Sequence, residues 1–149
     1  MTVNNRLELT VNPKQPMRGQ SAFQTDLCVF EELSDGTDIP RVVMEFKRTL
    51  STHDVLTYST KATKHKQVYP YLRYGLVVGS IERIPGRFFT HNEGLDFCLA
   101  AAAHRGARIH DLFESLLTQE VEASRRLEQI IFGREAVYLF REEVCFENT

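Results

Sequence analysis

RVVMEFKRTLSTHDVLTYSTKATKHKQVYPYLRYGLVVGS, residues 41–80, decides the fold. Its opening residues alternate, with Val42, Met44 and Phe46 on one side and Arg41, Val43, Glu45 and Lys47 on the other. Successive side chains of a strand point to opposite faces, so one face is wholly apolar and Glu45 shares the other with Lys47. Ser51 or Thr52 can cap a following helix, and Asp54 suits its first turn. That helix runs to about Val68, although Thr57, Thr60 and Thr63 lower its propensity. It stops near Tyr69, because Pro70 disfavours helical backbone in the residue before it. RYGLVVGS (73–80) reads as a short buried strand, so strand, helix and strand close a parallel crossover.

Working outward, RLELTV (6–11) alternates like a strand and NPKQPMRGQ (12–20) is a loop by its Pro, Gly and Asn content. Phe23 to Phe30 fits a strand, and SDGTDIP (34–40) carries the turn residues of a hairpin. On the C-terminal side, SIERIPGRFF is a loop or hairpin. Thr90 with Glu93 three residues on forms a capping-box pattern for a helix through the alanines to about Ala103. From Ile109 to Phe132, apolar residues at Leu112, Phe113, Leu116, Leu117, Val121, Leu127, Ile130 and Ile131 describe a long amphipathic helix ended by Gly133. AVYLF (136–140) reads as a final strand. The expected fold is α/β, of the α+β kind: one domain over 1–149, with a mixed central sheet flanked by helices.

The 149 residues suffice for one domain with a real core. A hydrophobic content of 42% and a charged content of 26% are ordinary globular values and exclude wholesale disorder. No apolar run approaches the roughly 20 residues that span a bilayer. MTVNNRLELTVNPKQ lacks the layout of a secretory signal, so a cytoplasmic location is expected. Cys28, Cys98 and Cys145 form no CxxC pair and read as small core residues. The five histidines offer no i,i+4 pair and no HExxH, and no GxxxxGK[ST] loop is present to hold a nucleoside triphosphate. Ser51 and Ser59 lack a nucleophile elbow.

Charge is unevenly spread. Between Arg41 and Tyr74, seven basic residues (Arg41, Lys47, Arg48, Lys61, Lys64, Lys66, Arg73) face two acidic ones, Glu45 and Asp54. That local +5 leaves −7 for the rest of a chain whose total is −2. A basic stretch on an acidic chain can grip phosphate without making the protein basic overall. Tyr58, Tyr69, Tyr71 and Tyr74 interleave with these cations and could stack on bases or fill the core.

Asp26 opens a strand in QTDLCVF; after a hairpin, Glu45 and Lys47 stand two apart in VVMEFKRT; a helix and a buried strand follow. This order resembles the PD-(D/E)xK, or restriction-endonuclease-like, nucleases over roughly residues 23–80. The helical part at about 90–132 lies outside the resemblance. It implies a restriction-endonuclease-like core and a metal-dependent nuclease (a hydrolase) of restriction or repair type. Asp26, Glu45 and Lys47 would be catalytic. Asp26, Glu45 and the Phe46 backbone carbonyl would be ligands of Mg²⁺ or Mn²⁺. The physical logic is independent of the name: Mg²⁺ takes one or two carboxylates plus waters and substrate phosphate, and Lys47 can orient water or neutralise the developing charge. Arg48, Lys61, Lys64, Lys66, Gln67 and Arg73 are the expected contacts to DNA, with RNA as the other possible substrate.

Gln67 and Tyr71 have the Gln-x-x-x-Tyr spacing of one branch of that superfamily, but Pro70 separates them. Two departures stand out. Thr25 occupies the proline position before Asp26, and residues 1–25 show no helix ahead of the first core strand. Either the chain is the C-terminal part of a larger protein or its core is atypical. Two rival functions stay open: a non-catalytic nucleic-acid-binding module, and an interaction domain that forms a homodimer through the helix at 109–132.

Overall fold

A four-stranded mixed sheet organises this computed structural model, which describes residues 2–3, 23–104, 106–133 and 136–139. Two short strands, β1 (Thr2–Val3) and β2 (Phe23–Gln24), pair antiparallel in a small sheet of their own. β3 (Leu27–Glu32) and β4 (Asp38–Lys47) form an antiparallel hairpin. α1 (Thr52–Val68) then crosses to β5 (Arg73–Val78), parallel to β4. A short α2 (Gly86–His91) precedes β6 (Phe97–Ala100), parallel to β5, and α3 (Ala107–Phe132) follows. The sheet order is β3-β4-β5-β6.

Local chemistry explains these boundaries. In the hairpin, the Asp35 carboxylate accepts the Thr37 N–H at 2.9 Å, and Gly36 takes a φ of 81°, which favours glycine. At the start of α1, the Ser51 hydroxyl accepts the Asp54 N–H at 3.1 Å while the Asp54 carboxylate accepts the Ser51 N–H at 2.9 Å. This reciprocal box satisfies two donors that a helix start leaves unpaired. At its end, the Tyr69 N–H reaches the His65 carbonyl at 2.9 Å and Pro70 stops further propagation.

The sheet is covered on both faces. Val43, Tyr74, Leu76 and Val78 pack with Val55 and Ala62 of α1. Val42, Met44, Val77, Phe97 and Leu99 face the other way, against Ile109, Leu112, Phe113, Leu116, Leu117 and Val121 of α3. The amphipathic stripe expected over 109–132 therefore covers the sheet of its own chain. Gly75 lets the Phe97 ring cross the sheet face, since a Cβ there would stand 2.3 Å from the ring. Cys28 and Cys98 are free, half-buried thiols, each pushed up to about 12 by burial.

Three expectations are corrected. Phe23 to Phe30 is not one strand: it breaks at Thr25–Asp26, where the Asp26 side chain takes the Phe46 N–H that a continuing ladder would have used. Thr90 caps no helix through the alanines. It lies inside α2, residues 97–100 are a buried strand, and Ala101–Ala103 make a single 3₁₀ turn. Residues 136–139 join no sheet and lie exposed, Tyr138 at 99%. The strand expected at 6–11, the loop at 12–20, Phe140 and Cys145 lie outside the described residues. Among the described residues no helix is long and apolar enough to cross a membrane.

Candidate active site

The hairpin register sets the site. Leu27 pairs with Met44 and Cys28 with Val43, so one further step brings Asp26 across from Glu45. Alternation puts both on the face that carries Cys28 and Val43, the face covered by α1. Asp26 is anchored there: its Oδ2 accepts the Phe46 N–H at 2.9 Å. Glu45 is 1% exposed, and Lys47 follows two residues later on the same face.

α1 supplies the other wall. Asp54, Tyr58, Lys61 and His65 recur at the three- and four-residue spacing of one helix face. Lys61 Nζ contacts Glu45 Oε1 at 2.5 Å, and the Tyr74 hydroxyl on β5 donates to the same oxygen at 2.5 Å. Lys47 Nζ pairs instead with Asp54 Oδ1 at 2.9 Å. Between the two ammoniums lies the Tyr58 ring, 5.8 Å from Lys47 and 5.0 Å from Lys61. Behind them His65 is fully buried, its Nδ1 2.7 Å from the Lys61 carbonyl and its ring against Tyr74 and Phe23. Glu45 and Lys47 thus share a face without pairing to each other.

The electrostatics follow from this layout. Burial pushes the Glu45 carboxyl above its usual range, and the Asp26 charge adds to that; Lys61 and Tyr74 act against it. The hydrogen bond that Lys47 donates to the Asp54 carboxylate holds it above the ordinary lysine value. Ser51 and Lys47 lower Asp54 to about 2. Burial lowers His65 to about 4, so it is neutral at neutral pH, and burial beside Glu45 drives Tyr74 upward. Asp26, alone of the three carboxylates, has no ion pair among the described residues.

The remaining predicted residues divide into two sets. Arg48 is exposed just past β4, beside the loop whose Ser80 N–H binds its carbonyl at 2.9 Å. Lys64 is half-buried one turn beyond Lys61, and Gln67 is exposed near the end of α1. Lys66 and Arg73 are not gathered with them. Lys66 binds the Gly94 carbonyl at 2.8 Å and Asp96 at 2.6 Å, while Arg73 binds Asp96 at 3.0 Å and Glu120 of α3 at 2.6 Å. Both are occupied in holding the chain before β6 and the opposite layer. Tyr71 is buried under the Arg41 guanidinium, whereas Gln67 is exposed. Sequence reasoning missed the partners of the two lysines and the role of Tyr74 as a donor to Glu45. The one available signal was the charged stripe Asp54, Lys61 on a helix that also had to cover a sheet.

Among the described residues no three His, Cys, Asp or Glu side chains form a group able to hold a metal ion. A closed protein cage is therefore not what these residues offer. Mg²⁺ often binds through one or two carboxylates, its other positions taken by water and phosphate oxygens. Asp26 and Glu45 fit that smaller donor set. The N–H and C=O of a strand residue leave the same edge, so the Phe46 carbonyl stands on the side where Asp26 takes its N–H. No family model, curated protein or solved structure matches the chain.

Proposed function

We propose that this protein is a divalent-metal-dependent nuclease of the PD-(D/E)xK type, hydrolysing phosphodiester bonds in DNA. The observation that carries the reading is Glu45: a carboxylate 1% exposed, across the hairpin from Asp26, with the Lys61 ammonium on it and Lys47 two residues on along the same face. A buried acid among charged neighbours costs stability that packing alone would not demand, and perturbed acids gather at functional sites. The site also lies where parallel β4 and β5 end, the edge at which open α/β sheets bind ligands. The order of hairpin, Glu-x-Lys strand, helix and parallel strand agrees with a restriction-endonuclease-like core.

In this reading Asp26, Glu45 and the Phe46 carbonyl hold Mg²⁺ or Mn²⁺. Such an ion, when bound, polarises the phosphoryl oxygen and lowers the pKa of an attacking water. Lys47, with its pKa raised, stays an ammonium at neutral pH and neutralises charge on the phosphate rather than taking a proton. Arg48, Lys64 and Gln67 would contact the DNA backbone; they lie outside the ion pairs that occupy Lys66 and Arg73.

The test is cleavage of supercoiled plasmid and single-stranded DNA with Mg²⁺ or Mn²⁺. Asp26→Asn and Lys47→Ala should each lower the rate at least about a hundredfold, the usual scale for loss of an electrostatic group. Cleavage undiminished in Asp26→Asn would remove the proposal. One observation favours a second reading: Glu45 and Lys47 already have partners of opposite charge, as in a site kept only for binding. Salt-sensitive DNA binding without cleavage would support that module instead.

A further inference from the structure

Two ammoniums stand at the candidate site, and they are not equivalent. Lys47, the lysine of the Glu-x-Lys strand, is turned onto Asp54. Lys61, seven residues further along α1 than Asp54, sits on Glu45. Three carboxylates (Asp26, Glu45, Asp54) and two ammoniums leave one negative charge, at Asp26. A divalent cation shared by Asp26 and Glu45 would lie beside the Lys61 ammonium, and like charges at that separation repel strongly where water is scarce.

From this geometry we infer that Lys61 is an exchangeable counter-ion of Glu45. Its ammonium holds the carboxylate while no metal is present, and swings outward to face substrate phosphate once a divalent cation takes over that charge. This rests on the metal-dependent reading given above. The side chains allow it. Lys61 is 17% exposed and its ammonium rests over the Tyr58 ring, so it has a way out to solvent. Glu45 has none, at 2%, and the fully buried Tyr74 keeps its hydroxyl on Oε1 throughout. Glu45 therefore keeps its position while its partner changes. Lys64, one turn along α1, makes no contact with Glu45 among the described residues and serves as a control of equal charge.

The experiment is Mn²⁺ titration by calorimetry, on protein without DNA. Lys61→Met keeps the apolar stem and removes the competing charge, so it should bind Mn²⁺ at least about tenfold more tightly than wild type. Lys64→Met should stay within about twofold of wild type, and Glu45→Gln should lose the site. The wild-type protein gives a second readout independent of any folding defect: the Lys61 side-chain ¹⁵Nζ resonance should shift on addition of Mg²⁺ while that of Lys66 stays put. If wild type binds Mn²⁺ through Glu45, but Lys61→Met binds no more tightly and the Lys61 resonance does not move, the exchange is overturned and the nuclease reading stands. If wild type shows no Glu45-dependent binding, both are overturned.

Discussion

His65 lies on the same helix as Lys61, Lys64 and Lys66, yet it is fully buried and neutral, with its Nε2 making no hydrogen bond among the described residues. Its pKa falls from 6.5 to about 4 because burial penalises the charged form. The unfolded chain therefore binds a proton between pH 6.5 and 4 that the folded chain refuses, and stability rises with pH across that window. The contribution is complete above about 6.5, and on the order of 2–3 kcal/mol is lost on descending to pH 4. Urea midpoints of wild type and His65→Gln should diverge over that range, with the variant showing the shallower slope. Equal slopes would show that His65 is not the group responsible. Glu45 and Lys47 were legible in sequence as residues sharing a strand face. Their partners were not, because a face says nothing of which side chain on a crossing helix reaches it.

At the level of elements, α1 supplies the wall opposite the hairpin, and its cap is tied to Lys47. Ser51 both accepts the Asp54 N–H and donates to the Asp54 carboxylate at 2.6 Å, and Asp54 in turn holds Lys47. Ser51→Ala should cost about 1 kcal/mol, seen as a lower urea midpoint at unchanged slope. A midpoint equal to wild type would mean that the capping box contributes nothing. The crossover β4–α1–β5 was readable because its signals agree: strand alternation, a capping serine, a stop at Pro70. Around residue 100 they conflict. FCLAAAA is rich in helix formers, yet Phe97 and Leu99 pack on the α3 face and residues 97–100 pair with β5, so tertiary context overrides propensity. A strand buried on both faces reads as a plain apolar run, indistinguishable by period from a buried helix segment. AVYLF erred the other way: its composition suits a strand, but residues 136–139 join no sheet among the described residues.

Across the whole molecule, α3 is tied to the sheet by ion pairs spanning long sequence distances. Arg41 joins Glu31 at 2.7 Å and Glu128 at 2.8 Å, and Arg125 joins Glu31 at 2.7 Å. Arg41 and Arg73, two of the seven cations in the basic stretch, are therefore committed to this layer. Charge counted along a sequence overstates what faces a ligand, since a window cannot tell which cations have acids folded against them. The proposed site lies at the end of β4, where the hairpin register sets Asp26 across from Glu45. The direct measurement is anomalous scattering from crystals soaked in Mn²⁺. A manganese peak bound by carboxylate oxygens of both Asp26 and Glu45, and lost in Asp26→Asn, is the predicted result. Fully soaked crystals with no peak between those two side chains would contradict it.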